Sequence, residues 1–363
     1  MHVMRKALLS IRAYVGWPCA AFLALAAGCA TPAGKKVNVF FPLPPDEPRI
    51  QYLTSFGSEF DLGGQSRWAR FILGDNQVYR PIVKPYGLAT SRGKVYVCDT
   101  QTANVAVVDL VKRRLRYMRP SGEAALGTPI NIAVDQDGTR YVADMTRELV
   151  MIYDKEGGYL GAIGKKGEMK PCGIALDRDR LYVGDLKKSC VRVYAKEKRE
   201  LLFTVPRDGA DVKAKLHSPT NVAVDQQGRI YASDTGGFLV QIYDAEGRHL
   251  RGLGEQGIDP GRFALPKGVG VDHEGRVYVV DAATAVVQLF DSEGRLLMFF
   301  GEPKSSGPAA LYLPAGLAID YENVDLFQSY VAPGFQIEYL ILVVSQLGSQ
   351  KVSVYGFLKK PEP

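Results

Sequence analysis

Pro219-Thr-Asn-Val-Ala-Val224 is one of six copies of a phrase that runs Pro, any residue, Gly or Asn, an aliphatic, a small residue, an aliphatic. The others are Pro85-Tyr-Gly-Leu-Ala-Thr90, Pro129-Ile-Asn-Ile-Ala-Val134, Pro171-Cys-Gly-Ile-Ala-Leu176, Pro266-Lys-Gly-Val-Gly-Val271 and Pro314-Ala-Gly-Leu-Ala-Ile319. Successive copies begin 42 to 48 residues apart. That is the period of a four-stranded blade, and the β-branched and aromatic content favours strands over helices. The expected fold is all-β, a six-bladed β-propeller.

Each repeat carries further strand and turn signals. The small residue of the phrase (Ala89, Ala133, Ala175, Ala223, Gly270, Ala318) suits innermost strands crowding around one axis. Asp135, Asp177, Asp225, Asp272 and Asp320 follow it and open tight turns. A second strand then reads as in Ile230-Tyr-Ala-Ser-Asp234, and a third alternates as in Val240-Gln-Ile-Tyr243. Asp-x-Glu-Gly turns at 154–157, 244–247 and 291–294 lead to an outer strand, with Gly where a left-handed backbone is needed. Blades are expected to begin near 84, 128, 170, 218, 265 and 313, within a propeller spanning 49–358, followed by a tail at 359–363. Blade six has no fourth strand of its own. Tyr52-Leu-Thr-Ser-Phe56-Gly57 matches the outer strand Leu296-Leu-Met-Phe-Phe-Gly301, so residues 49–57 are expected to complete blade six and close the ring. A short helix is expected around Trp68–Leu73.

The repeats resemble NHL repeats, of the form Pro-x-Gly-Ile-Ala-Val-Asp, then Gly-x-Ile-Tyr-Val-x-Asp-Thr, then Ile-x-Val-Phe. The resemblance covers about residues 84–358, is weaker in blade one, and is partial in blade six, where Ser345-Gln346 replaces Asp-Thr. It implies a six-bladed propeller of a family that mostly binds proteins, peptides or RNA. Fold alone does not imply catalysis.

The N-terminus carries a second signal. Residues 1–12 are basic, residues 13–28 are apolar, and small residues precede Cys29. This is the order of a secretory signal. Leu25-Ala-Ala-Gly-Cys29 resembles a bacterial lipobox, with Ala26 where Leu is usual. The resemblance implies a signal peptide over 1–28, acylation of Cys29, and anchoring to a membrane; Ala30 in place of Asp implies the periplasmic side of the outer membrane. Residues 29–48, with five prolines, are expected to be an extended tether. The net charge is +6, half of it carried by Arg5, Lys6 and Arg12 in the leader. The remainder is too small to argue for nucleic acid. Cys98, Cys172 and Cys190 are expected to be buried free thiols.

Five aspartates, Asp99, Asp144, Asp185, Asp234 and Asp281, recur at one repeat position, which favours turn hydrogen bonding over metal ligation. The enzymatic alternative is a metal-dependent periplasmic hydrolase similar to gluconolactonases and paraoxonases, which needs oxygen ligands converging on the channel. Asn131 and Asn221 fit that reading. The ring following each proline (Tyr86, Ile130, Cys172, Thr220, Lys267, Ala315) supplies no carboxylate, and Lys267 would oppose a cation. Tyr86, Asn131, Thr220, Asn221 and Lys267 are therefore candidates for binding at the channel mouth. Lys165, Lys166, Lys187 and Lys188 form a basic cluster on the mouth-side loops. Phe327, Tyr330 and Phe335 belong to an aromatic insertion at about 321–337, either a partner surface or a satellite core. No cofactor and no catalytic set is expected. The expected molecule is a monomeric, lipid-anchored envelope scaffold binding another envelope protein or complex.

Overall fold

The computed structural model describes residues 38–43, 45–63, 81–301 and 306–359. Cys29, the leader, most of the tether and the helix expected around Trp68–Leu73 lie outside them. The described chain is a six-bladed β-propeller. Five blades are four-stranded antiparallel sheets whose first strands, Pro85–Ser91, Pro129–Val134, Pro171–Leu176, Pro219–Val224 and Pro266–Val271, begin at the repeat prolines. The sixth has five strands. Its own are Pro314–Asp320, Ile337–Ser345 and Val352–Leu358, and two N-terminal strands, β1 (Val39–Phe41) and β2 (Ile50–Phe56), complete it.

The ring closes where the sequence pattern placed the closure. β2 runs antiparallel to Val352–Leu358, with Ile50 opposite Phe357 and Phe56 opposite Val352. Its role follows from its composition: Ile50, Tyr52, Leu53 and Phe56 are all buried. β1 was not anticipated. Val39–Phe41 falls inside the stretch expected to be tether, yet pairs with β2, Val39 opposite Tyr52 and Phe41 opposite Ile50. Val-Phe-Phe is strand-forming, and the packing of Phe41 against Phe300 and Tyr355, at ring-centroid distances of 6.2 and 6.4 Å, outweighs the neighbouring prolines. Asn323 adds a polar staple across the same closure. Its Nδ2 donates to Ser91 O at 3.0 Å, and its Oδ1 accepts from Gly93 N–H at 2.6 Å, tying blade six to blade one.

The core lies between blades. Six hydrophobic clusters each bridge one adjacent pair, from Tyr96 and Cys98 with Ile132 and Val142 between blades one and two, to Val344 and Val354 with Leu88 and Val97 between six and one. Strand alternation explains the phrase: the fourth position (Leu88, Ile132, Ile174, Val222) packs on the preceding blade and the small fifth position on the following one. The small residues therefore answer to the next blade as well as to the axis. Gly270 has Leu317 of blade six where its Cβ would stand, 2.5 Å away.

The buried aspartates latch this arrangement. Asp144, fully buried, accepts from Gly127 and Thr128 N–H on the segment entering its blade, at 2.7 and 2.9 Å. It also accepts from Thr146 and Arg147 N–H in its own turn, at 3.0 and 2.9 Å. Asp99 and Asp281 repeat the pattern. Asp185 accepts one incoming N–H, from Lys170, and the turn N–H groups of Lys187 and Lys188, while Asp234 makes the incoming half with His217 and Ser218. In blade six Ser345 Oγ accepts one such bond, from Tyr312 N–H at 3.1 Å. Charge-assisted bonds contribute about 1.5–3 kcal/mol each, and losing an acceptor strands its donors.

Asp144→Ala is expected to cost at least about 3 kcal/mol in chemical denaturation, because four buried or half-buried N–H groups lose their acceptor; a change within about 0.5 kcal/mol would remove the latch. Phe41→Ala is expected to cost about 3 kcal/mol by cavity formation. A chain starting at Arg49 should lose stability but still fold cooperatively, whereas one starting at Ser58 should be insoluble or noncooperative, read by solubility and the thermal transition.

Candidate functional site at the channel mouth

Proline has no N–H to continue a ladder, and in every blade the register slips immediately after the repeat proline. In blade three Pro171 faces Asp185 and Gly173 already faces Gly184, so Cys172 is the extra residue of a bulge. The same slip follows Pro85, Pro129, Pro219, Pro266 and Pro314. A bulge re-aims the side chain it carries. Of the residues that follow the repeat prolines, Tyr86, Thr220 and Lys267 are partly exposed, whereas Ile130, Cys172 and Ala315 are buried. The following residue is tightly confined: a Cβ at Gly87 would lie 2.6 Å from Ile130 O, and one at Gly173 2.7 Å from the Asn221 Cα.

The structure brings the mouth candidates together in two sets. Asn131 and Asn221, both buried, meet over blade three, with Asn131 Nδ2 donating to Asn221 Oδ1 at 3.2 Å. Each Oδ1 also accepts the N–H of its next residue, Ile132 or Val222, at 2.9 Å. The amide oxygens are thus directed into protein contacts, and no carboxylate joins them. Among the described residues no three His, Cys, Asp or Glu side chains are grouped to hold a metal.

The second set is cationic. Lys267 Nζ stands 5.1 Å from the centroid of the Tyr86 ring. Burial first, then the neighbouring Lys84, lowers the Lys267 ammonium below its ordinary value. Burial, then Cys172, pushes the Tyr86 hydroxyl up to about 12. Burial, then Asp185, pushes the Cys172 thiol up to about 12, and its Sγ donates to Pro219 O at 3.0 Å. A protonated thiol is a weak nucleophile. Thr220 Oγ lies 3.2 Å from Ser233 Oγ and 3.1 Å from Thr235 Oγ, forming a hydroxyl cluster. These groups offer donors and positive charge to an acceptor-rich partner.

Lys165, Lys166, Lys187 and Lys188 are exposed on the adjacent loops of blades two and three. Lys187 Nζ donates to Gly167 O. Sequence reasoning missed Arg192, a buried cation on the third strand of blade three, where blades four and five carry Gln241 and Gln288. Arg192 donates to Asp185 at 2.8 Å and to Glu168 at 2.9 Å. It therefore occupies the carboxylate that stands among these lysines in sequence and leaves the cluster cationic. Alignment of the repeats shows the exchange of a neutral amide for Arg.

The aromatic insertion folds inward as a satellite core. It forms a short helix, Val324–Phe327, and a tight turn, Gln328–Tyr330. Phe327 is buried, with Tyr330 packed beside it at 5.8 Å, and Phe335 lies 5.4 Å from Phe40. Phe327 and Tyr330 are thus core contacts rather than a partner surface, because the insertion covers the apolar junction of blades six and one. Cys98 and Cys172 are buried free thiols; Cys190 is also free but only partly buried. His217, His249 and His273 bond or stack locally with Asp234, Gln241 and Tyr321, in different blades.

No known protein-family profile matches the chain. No curated protein matches it either. Its described fold is similar to a solved streptogramin B lyase structure, with a TM-score of 0.51 and 11% identity over 78% of this chain and 86% of that one. It is similar also to a chain of a nidogen/laminin complex, with a TM-score of 0.51 and 19% identity over 61% of this chain and 82% of that one. At these identities the likeness concerns the fold, and the chain is a six-bladed β-propeller.

Proposed function

We propose that this chain is an NHL-type propeller, exported and lipid-anchored through Cys29, that serves as a protein-binding or scaffold module in the bacterial envelope. Its partner is an acidic surface of an envelope protein, docked on the mouth-side loops of blades two and three. The carrying observation is the division of charge at that face. The repeat carboxylates are consumed by backbone N–H groups and Glu168 by Arg192, while Lys165, Lys166, Lys187 and Lys188 stand exposed. Electrostatic complementarity of this kind guides association and orientation. The ring of Tyr86, Thr220 and Lys267 supplies donors beside it. A hydrolase of the lactonase type would draw on Asn131 and Asn221, whose oxygens are engaged within the protein.

Two experiments test this reading. Affinity capture from detergent-solubilised envelopes is expected to recover an acidic protein with the wild-type propeller, and Lys165, Lys166, Lys187 and Lys188 changed together to Glu should abolish recovery without altering the melting transition. Retention of the same partner by that variant, or metal-dependent lactone turnover lost in Asn131→Ala, would overturn the proposal. Cys29→Ser is expected to move the protein from the membrane to the soluble fraction, checked by fractionation and by mass spectrometry of the mature N-terminus.

A further inference from the structure

Arg140 breaks the repeat where no repeat can spare a core residue. It stands four positions before the latch residue of blade two. The corresponding residues elsewhere are Val95, Leu181, Ile230, Val277 and Ile341, all aliphatic and at most 1% exposed. Arg140 is 5% exposed. Its guanidinium carbon lies 5.0 Å from the centroid of the Tyr96 ring of blade one, and its Nη2 donates to Lys155 O. Its Nε–H is buried with no acceptor. Among the described residues no carboxylate forms an ion pair with it; Asp154, which accepts from Glu156 and Gly158 N–H, attracts it only through space. Arg229 and Arg276, one repeat position earlier, meet their turn aspartates Asp225 and Asp272 at 2.6 and 2.5 Å; blade two has Thr139 there.

An unpaired buried guanidinium is costly unless something compensates it. Arg140 lines a groove of about 320 Å³ between blades one and two, at the end of the blades opposite the channel mouth. Lys94, Lys112, Arg114 and Arg116 line the same groove. Two carboxylates also line it, Asp109 and Glu156, so positive charge prevails. Asp109 is partly occupied, its Oδ1 accepting from Lys112 N–H at 2.8 Å, and Glu156 lies 4.0 Å from Lys155. Guanidinium and ammonium groups lining one groove match a tetrahedral oxyanion with several acceptor oxygens.

We propose that this groove is a phosphoryl-binding site, with Arg140 at its base and Lys112 and Arg114 at its rim. The shared chemistry is a phosphate group, carried by a soluble phosphate ester or by a phospholipid headgroup. The site is separate from the mouth and does not depend on the function proposed for it.

The test uses the full chain without phosphate in the buffer. Probes are inorganic phosphate, pyrophosphate, and phosphatidylcholine vesicles with and without phosphatidylglycerol. Arg140→Ile restores the repeat residue and should fold with an unchanged or higher melting temperature. Lys112→Ser/Arg114→Ser changes exposed positions only and provides a second variant. Binding of phosphate or pyrophosphate by calorimetry, weakened about tenfold or more in both variants, supports a soluble ester. Binding confined to vesicles containing phosphatidylglycerol, and lost in both variants, supports the headgroup. The proposal is overturned if no probe binds the wild type, or if Arg140→Ile binds as the wild type does.

Discussion

Backbone N–H groups that turn inward at the end of a blade need an acceptor, and in five of the six blades a buried aspartate at the end of the second strand provides it. A carboxylate can take four such donors at once, as Asp144 does. Because the donors come from both the blade's own turn and the segment arriving from the previous blade, one side chain fixes successive sheets relative to each other. This is why the residue recurs at full burial in five blades. Buried charge is tolerable here because its hydrogen bonds replace those of water.

The remaining order follows from that registration. With the inner strands held in place, alternation sends one set of side chains to the preceding blade and the other to the following blade, and six apolar seams form in place of a central core. Blade six departs most from the repeat. Ser345 stands in the latch position, and the fourth strand comes from the N-terminal segment. Additional closure compensates: Asn323 bridges to blade one, the aromatic insertion covers the junction, and β1 extends the sheet by one strand.

The same geometry separates scaffold from site. A proline at the start of each inner strand both ends the ladder and produces the bulge that displays the next residue. Positions immediately around that residue are restricted by neighbouring backbone, as at Gly87 and Gly173, while the displayed residue itself varies from Tyr to Ala. Ile130 and Ala315 belong to the seams and Tyr86 packs against two of them, so of the partly exposed residues only Thr220 and Lys267 stand outside the apolar clusters. Arg140 and Arg192 are the converse case, charges placed on positions that other blades give to apolar or neutral residues. Their consequences differ because Arg192 bonds two carboxylates directly, whereas Arg140 bonds none among the described residues.

Periodic features were legible in the chain itself. Proline spacing, strand alternation and the recurring Asp were sufficient for blade number, for the structural role of the aspartates and for the identity of the closing strand, because each is a local pattern repeated at a constant interval. Non-periodic features were not. β1 forms because Phe41 finds Phe300 and Tyr355, residues more than two hundred positions away. The inward packing of Phe327, the pairing of Asn131 with Asn221, and the convergence of Arg140 with the basic edge of blade one likewise depend on which faces the ring brings together. Sequence determines the blade, whose contacts lie within a few tens of residues; only the closed ring decides which charges find partners, since that depends on distances between segments far apart along the chain.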